Sequence, residues 1–302
     1  MSKVFLKDLT KKPSGAIFLS GNGTNAEKIL QHFQSPSIIR HWIPRVLVTD
    51  RPVSSRAGII AEKYGLPLIE HGLAAFYRQH GLEKTTLATE EGRRIRRLWT
   101  TALLEKLQKY HVDFGILAGF VSLTNIAAAL PCLNVHPGDL TYEKEGRRYL
   151  TGLHTIPVER AILEGLPFLR SSVILVKPFS GRPEDVDAGH ILGISEKMPL
   201  DLQGHSVREL LEIFHSRTRG HIHGANNDLL SELANYNQER LKSAGDHVIY
   251  PEVIDDFAGN RFSESDSGTL LYDGEPVKTV EYRADGRRVP MKLDVSGTRR
   301  KS

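Results

Sequence analysis

With 302 residues, the chain is long enough to bury a proper core in one large or two modest domains. Its 40 basic and 36 acidic residues leave a net charge of +4, a small imbalance and not the basic block that tracks nucleic acid or a membrane surface. The single cysteine, Cys132, excludes an internal disulfide and any cysteine-based zinc site, and reads as a packed thiol in a reducing, cytoplasmic protein. Met1 to Lys7 hold no apolar core of signal-peptide length, and no apolar run approaches a membrane span, so a soluble protein without a membrane partner is expected. Basic residues gather at Arg93 to Arg97, Arg147-Arg148 and Arg299 to Lys301. Without interleaved aromatics or a nucleic-acid motif they read as solvated faces, with anionic ligands second.

Periodicity orders the chain into alternating elements. Ala16 to Ser20 is a short apolar strand, followed by the turn Gly21-Asn22-Gly23-Thr24-Asn25 and a helical pattern from Ala26 to Phe33. Arg45 to Thr49 reads as a strand, Ser54 to Tyr64 as a helix, Leu66 to Glu70 as a strand, and a long helix ends near Tyr110. A strand at Asp113 to Ala118, a short helix at Leu123 to Ala129 and a strand at Cys132 to Val135 follow. Thr155 to Glu164 predicts a helix, and Ser171 to Val176 and His190 to Lys197 predict strands. Residues 205–243 carry a helical pattern interrupted around Gly220 to Gly224, and His247 to Phe257 reads as one more helix. Strand-like pieces flank Asp273-Gly274, a hairpin signal, and the polar stretch after Ala284 reads as poorly ordered.

Strands alternating with helices predict an α/β fold: a doubly wound, mostly parallel sheet with a C-terminal helix and hairpin. One domain is expected over residues 14–283, with a tail over 284–302. Ligands bind such sheets beyond the carboxyl ends of the strands, where Gly21 to Asn25, Gly119-Phe120 and Asn134 to His136 all emerge.

Asn134 and His136 are two residues apart on a strand that Pro137 stops, so both project to one face. Asp187 follows later in a stretch that also holds Glu184 and Asp185. An amide, an imidazole and a carboxylate on one sheet rim can stabilise an oxyanion, move a proton and balance the imidazole's charge. That is acyl transfer without a covalent nucleophile. A lone histidine is more often a core residue and a loop acid more often merely solvated; the strand end and the neighbouring amide favour chemistry.

Gly21 to Asn25 gathers free N–H groups at the positive end of a helix, which suits a phosphate; a tight turn with Asn25 capping the helix is the alternative. The segment lacks the third glycine of a dinucleotide fingerprint and the Gly-Lys-Ser/Thr ending of a P-loop. His205, His215, His221 and His223 show no metal-ligand spacing and read as surface residues, so no metal is expected.

In chain order, Leu19 to Asn25, Leu117-Ala118-Gly119-Phe120, Leu133-Asn134-Val135-His136-Pro137, Gly152-Leu153-His154-Thr155, Ser172-Val173, Asp187-Ala188-Gly189 and His247 to Pro251 carry a resemblance. From Ala16 to Pro276 the chain resembles the glycinamide ribonucleotide formyltransferase family, folate-dependent transferases of purine biosynthesis. The resemblance implies a Rossmann-like formyltransferase fold, 10-formyltetrahydrofolate as co-substrate, and Asn134, His136 and Asp187 as the catalytic set. It implies that Gly23, Thr24 and Asn25, with Asn22 beside them, bind the substrate's phosphate, that His154 lies near the substrate, and that Asp246 stands where the family has a ribose-binding glutamate. On the folate side it implies Val121, Ser122, Leu123, Thr124, Asn134, Val176 and the loop from Arg182 to Asp187, with Arg96 in the place of a folate-site arginine.

The chain departs from the family at Ser122, where an arginine is usual, and at Gly138 to Thr141, where the family has Ser-Leu-Leu-Pro. It also carries extra residues before the Arg96 helix and an insertion of roughly eight residues around Tyr142 to Tyr149. These changes surround the ligands and leave the catalytic set alone. Glycinamide ribonucleotide is therefore the first acceptor, and an unusual nucleotide or an amino sugar is the rival. A formyltetrahydrofolate hydrolase would bring a regulatory domain that the sequence lacks. A non-catalytic nucleotide or folate binder would have no need of all three catalytic residue types. The partners expected are small molecules, with no nucleic acid.

Overall fold

A computed structural model of the chain describes residues 2–6, 10–36, 38–178, 186–217 and 226–293. The first half alternates strand and helix: β1 (Ser14–Phe18), α1 (Thr24–Gln34), β2 (Ile43–Thr49), α2 (Ala57–Tyr64), β3 (Leu68–Glu70), α3 (Leu73–Gln79), α4 (Glu90–Gln108), β4 (Phe114–Leu117) and β5 (Cys132–His136). The second half holds α5 (Ile156–Leu163), β6 (Ser172–Leu175), β7 (Ile191–Ser195), α6 (Val207–Ser216), α7 (Leu229–Leu241), α8 (His247–Ala258), β8 (Thr279–Tyr282) and β9 (Arg288–Met291).

Among the described residues, nine strands form the main sheet in the order β9-β8-β7-β6-β5-β4-β1-β2-β3. From β3 through β5 all neighbours are parallel, as are β7 and β8. β6 runs antiparallel to both β5 and β7, and β9 antiparallel to β8. The expected α/β architecture is present, with a reversed strand beside β5.

The strands read as continuous apolar runs because both faces of the sheet are covered. Ile17, Leu47, Ile116 and Leu133 pack with Ile29, Leu30, Ile60, Ile249, Tyr250 and Ile254 of α1, α2 and α8. The alternate residues Ala16, Phe18, Val46, Val48 and Cys132 pack with Tyr77 of α3 and Ile95, Trp99 and Leu103 of α4. Each such large apolar side chain, fully buried, contributes about 1.5–3 kcal/mol. The Cys132 thiol lies wholly inside, where burial pushes it up to about 12.

The long helix expected to end near Tyr110 is α4, and the shorter α3 before it is an addition. α4 starts at Thr89, whose hydroxyl accepts the Gly92 N–H at 3.0 Å, while Glu90 and Glu91 complement the helix dipole. The short helix expected from Leu123 is a single 3-10 turn at Ile126–Ala128. Ser206 and Asp228 cap α6 and α7 through the Glu209 and Ser231 N–H groups; His221 and His223 lie outside the described residues. The hairpin at Asp273-Gly274 forms as expected, with φ of 51° and 85° at its two turn residues. No helix among the described residues is long and apolar enough to cross a membrane.

The polar stretch after Ala284 differs from expectation. Arg288–Met291 pairs with β8, Thr279 opposite Met291, and the Arg288 Nε donates to Asp256 Oδ2 at 3.2 Å. Asp256 is a buried carboxylate that also accepts the Tyr272 and Tyr282 hydroxyls, so a strand with a polar sequence is drawn in by a charge that local periodicity cannot reveal. Residues 294–302 lie outside the described residues.

Candidate active site

Because β1, β4 and β5 are parallel, the loops at their carboxyl ends open on one rim. A cleft lies there, lined by Leu117, Phe120, Val121, Ser122, Leu123, Thr124, Ile126, Ala127, Asn134, Leu153, Ile174, Val176, Lys177, Val186 and Asp187. Eight residues expected at the site, Val121, Ser122, Leu123, Thr124, Asn134, Val176, Val186 and Asp187, thus share one cleft. The rest of the loop expected to line it, Arg182 to Asp185, lies outside the described residues. Backbone bonds hold the rim: Ser20 N–H donates to the Gly119 carbonyl at 3.2 Å, and Val121 N–H donates to Ser20 Oγ at 3.1 Å. The Ser122 hydroxyl donates to Asp50, a buried carboxylate at the end of β2.

Arg96, expected on the folate side, is buried on α4 beside the cleft rim, its guanidinium over the Tyr77 ring at 5.5 Å, and it donates to the carbonyl of Leu123, which lines the cleft. Its place is behind the rim loop, which it braces. The spacing of basic residues along α4 gives no sign of which one turns inward.

His136 ends β5 and is only 3 % exposed. Its Nε2 donates to the Leu150 carbonyl at 2.6 Å, and its Nδ1 faces Asp187 Oδ2 at 3.5 Å. Since a carbonyl only accepts, Nε2 carries a proton in this arrangement. Asp187 Oδ2 also accepts the Gly152 N–H at 3.1 Å, and its main-chain carbonyl accepts from Arg148. The reversed strand β6 sets Ser172 opposite His136 and Ile174 opposite Asn134. Ser172 then holds the turn beyond Pro137, donating to the Gly138 carbonyl at 2.7 Å and accepting the Leu140 N–H at 3.0 Å.

At the other end of the rim, Gly23 is the N-cap of α1 with φ of 67°. The alternative in which Asn25 caps the helix therefore falls: Gly23 occupies that position, and no side chain caps the first turn. The Asn25 Nδ2 instead donates to Asp246 Oδ2 at 3.2 Å, and its Oδ1 is buried without a partner. Asn22 is exposed, its carbonyl accepting from Arg56 at 3.4 Å. His154 is exposed in a left-handed conformation (φ 55°), one residue beyond Leu153 of the cleft wall.

Asp246 closes a π-helical turn, Lys242–Asp246, between α7 and α8. A Cβ on its neighbour Gly245 would stand 2.4 Å from Ser171 Oγ, so only glycine lets this turn approach β6 closely enough for Ser171 to donate to Asp246 Oδ1 at 2.5 Å. Burial pushes the Asp246 carboxyl above the usual carboxylate range, against the pull of its Ser171 and Asn25 hydrogen bonds. A carboxyl with a raised folded value contributes stability that is full below its unfolded value and lost as pH rises through the folded one. Asp246→Asn is therefore expected to raise Tm at about pH 8 and to change it little near pH 4. Differential scanning calorimetry at both pH values checks this, and a lower Tm at the alkaline pH would contradict it.

Sequence reasoning saw the insertion and the Gly152 motif but not that Arg148, Leu150 and Gly152 supply partners to His136 and Asp187. It also missed Lys177 at the cleft. The paired arginines Arg147-Arg148 were visible, but nothing local ties one of them to a residue so far along the chain. Among the described residues, no group of three His, Cys, Asp or Glu could hold a metal ion.

No family model matches the sequence, and neither does any curated protein. In structure, the chain is similar to phosphoribosylglycinamide formyltransferase from Anaplasma phagocytophilum, with a TM-score of 0.57 at 19% identity over 90% of this chain and 99% of that one. The enzyme of the same name from Coxiella burnetii, in complex with CHES, gives 0.56 at 19% identity over 88% and 96%. Glycinamide ribonucleotide transformylase 1 from Symbiobacterium toebii gives 0.55 at 22% identity over 88% and 98%. The chain has the fold of these formyltransferases.

Proposed function

We propose that the chain transfers a formyl group from 10-formyltetrahydrofolate to the amine of a phosphorylated substrate, glycinamide ribonucleotide first. The observation that carries this reading is the His136–Asp187 pair at 3.5 Å, with Asn134 on the same strand, at the rim of a sheet folded as in the formyltransferases. The cleft suits a flat folate ring, with apolar walls at Leu117, Phe120, Leu123, Ile126 and Val176 and polar groups at Asn134 and Asp187. A bound folate supplies an activated formyl group on a nitrogen leaving group. Asn134 donates its amide N–H to the formyl oxygen as negative charge gathers there, an interaction strongest in the transition state. His136 adds a second donor by giving up the Leu150 carbonyl, and Asp187 balances the charge of the ring. As the bond from the amine to the formyl carbon forms and the bond from that carbon to the folate nitrogen breaks, Asp187, directly or through water, relays the proton shed by the amine to the folate nitrogen, which leaves protonated, and the carboxylate keeps its charge.

On the acceptor side, the open N–H groups after Gly23 bind the phosphate, and Asp246 with Asn25 bind hydroxyls of the sugar. One observation favours a different acceptor. The hairpin Glu143–Lys144 and Arg147–Arg148 abuts Asp187 through Arg148 and reshapes the approach to the pair.

The deciding assay offers the protein 10-formyltetrahydrofolate with glycinamide ribonucleotide beside a panel of nucleotide and amino-sugar amines. The highest kcat/KM is expected on glycinamide ribonucleotide. A clear winner elsewhere in the panel selects the second reading, and no transfer to any amine removes the enzymatic one. Inorganic phosphate is expected to compete with the amine and leave the folate KM unchanged, because the α1 N-terminus favours any tetrahedral anion. Inhibition that ignores the amine concentration would contradict the phosphate site.

A further inference from the structure

Asp187 is a non-glycine residue at φ 58°, in the left-handed region that is uncommon for side chains other than Asn, Asp and His. The surroundings are specific. Gly152 N–H grips the carboxylate at 3.1 Å, and Arg148 donates to the residue's own carbonyl. Arg148 sits at the end of a two-stranded hairpin, Glu143–Lys144 against Arg147–Arg148, turned by Glu145 and Gly146 at φ of 54° and 72°.

The hairpin is fastened to α5 and its flank. Lys144 pairs with Glu164 at 2.6 Å, and its ammonium lies 4.9 Å from the Tyr149 ring centre. Arg160 donates to the carbonyls of Tyr149 at 2.9 Å and Thr151 at 3.0 Å. The guanidinium of Arg148 is half-buried, and burial pushes it down while the Asp187 charge pulls it up. A half-buried cation placed against the Asp187 charge, with a donor on that residue's carbonyl, ties the position of the loop to the hairpin.

We infer that Arg148 is a positioning residue for formyl transfer: the hairpin carries its guanidinium to the Asp187 backbone and so keeps the Asp187 carboxylate opposite His136 Nδ1. This rests on the formyl-transfer reading. Three residues of one short stretch then govern the pair: Arg148 sets the backbone of the acid, Gly152 aims its carboxylate, and Leu150 holds the other side of the imidazole.

The test compares Arg148→Met, Arg148→Lys, Asp187→Asn and the double variant Arg148→Met/Asp187→Asn, all checked for an unchanged circular dichroism spectrum. Arg148→Met is expected to lower kcat by about 10–100-fold, the scale of a small misplacement of a reacting group, with both KM values unchanged. Arg148→Lys, which keeps one donor, is expected to fall in between. The pH profile of Arg148→Met is expected to move in the direction produced by Asp187→Asn, and the double variant to be no slower than Asp187→Asn alone. A pH profile that stays in place, or losses that multiply in the double variant, would overturn the inference. Histidine ring NMR reads the same coupling without substrate: the His136 signals of Arg148→Lys and Arg148→Met should shift towards those of Asp187→Asn. Unshifted signals sink the positioning role, whereas shifted signals in a protein that formylates no amine sink only the formyl-transfer reading.

Discussion

Replacing Asn134 or His136 by alanine is expected to lower kcat by about two orders of magnitude or more while folate affinity stays close to that of the unchanged protein. In the proposed formyl transfer both side chains act on a charge that exists only in the transition state, so their removal would spare ground-state binding. Asn134 is the cleaner test, since it lines the cleft and its loss leaves a space that water can enter. His136 is nearly fully buried, and its removal strands the Leu150 carbonyl and the Asp187 carboxylate, an added stability cost of about 1–3 kcal/mol per buried group. Isothermal titration with folate and steady-state kinetics separate the two effects. Folate affinity lost while kcat holds would mean that these residues only bind.

Gly23→Ala is expected to destabilise the fold by about 3 kcal/mol, the sum of backbone strain and overpacking. A Cβ there would lie 2.5 Å from Ile60 Cδ1 and 2.7 Å from Leu19 Cδ1, both core atoms, and φ is 67°. The glycine is thus required twice, by the left-handed turn and by the contact between α2 and the end of β1. Denaturant unfolding measures the loss. A change within the scatter of ordinary surface substitutions would show that the turn can rearrange.

Part of the candidate site was legible because those residues sit at sequence-local signals. Asn134 and His136 share a strand face, Pro137 marks the strand end, and Gly21 to Asn25 separates a strand from a helix. The alternation of apolar runs and amphipathic stretches likewise carried the α/β architecture. What stayed hidden depends on contacts between distant segments. Arg96 turns inward because Tyr77 and the Leu123 carbonyl await it, not because of its neighbours in sequence. The reversal of β6 follows from the route by which the hairpin and α5 return the chain to β5, which strand periodicity does not encode. β9 forms because Asp256 calls for a cation, and its own composition reads as loop.

That last strand changes how the sheet meets its environment. A sheet ends in rows of unpaired N–H and C=O groups, which can recruit strands from other molecules and seed aggregation. At one border β3 has only three residues, too short to template much pairing. At the other, β9 covers the apolar flank of β8 and turns outward a strand of four residues with Arg288 at its start and Pro290 within it. Proline cannot donate to an incoming strand, and a cation repels a second copy of itself. The strand Arg288–Met291 therefore works as a selvedge, a finished polar border on a broad, largely apolar sheet.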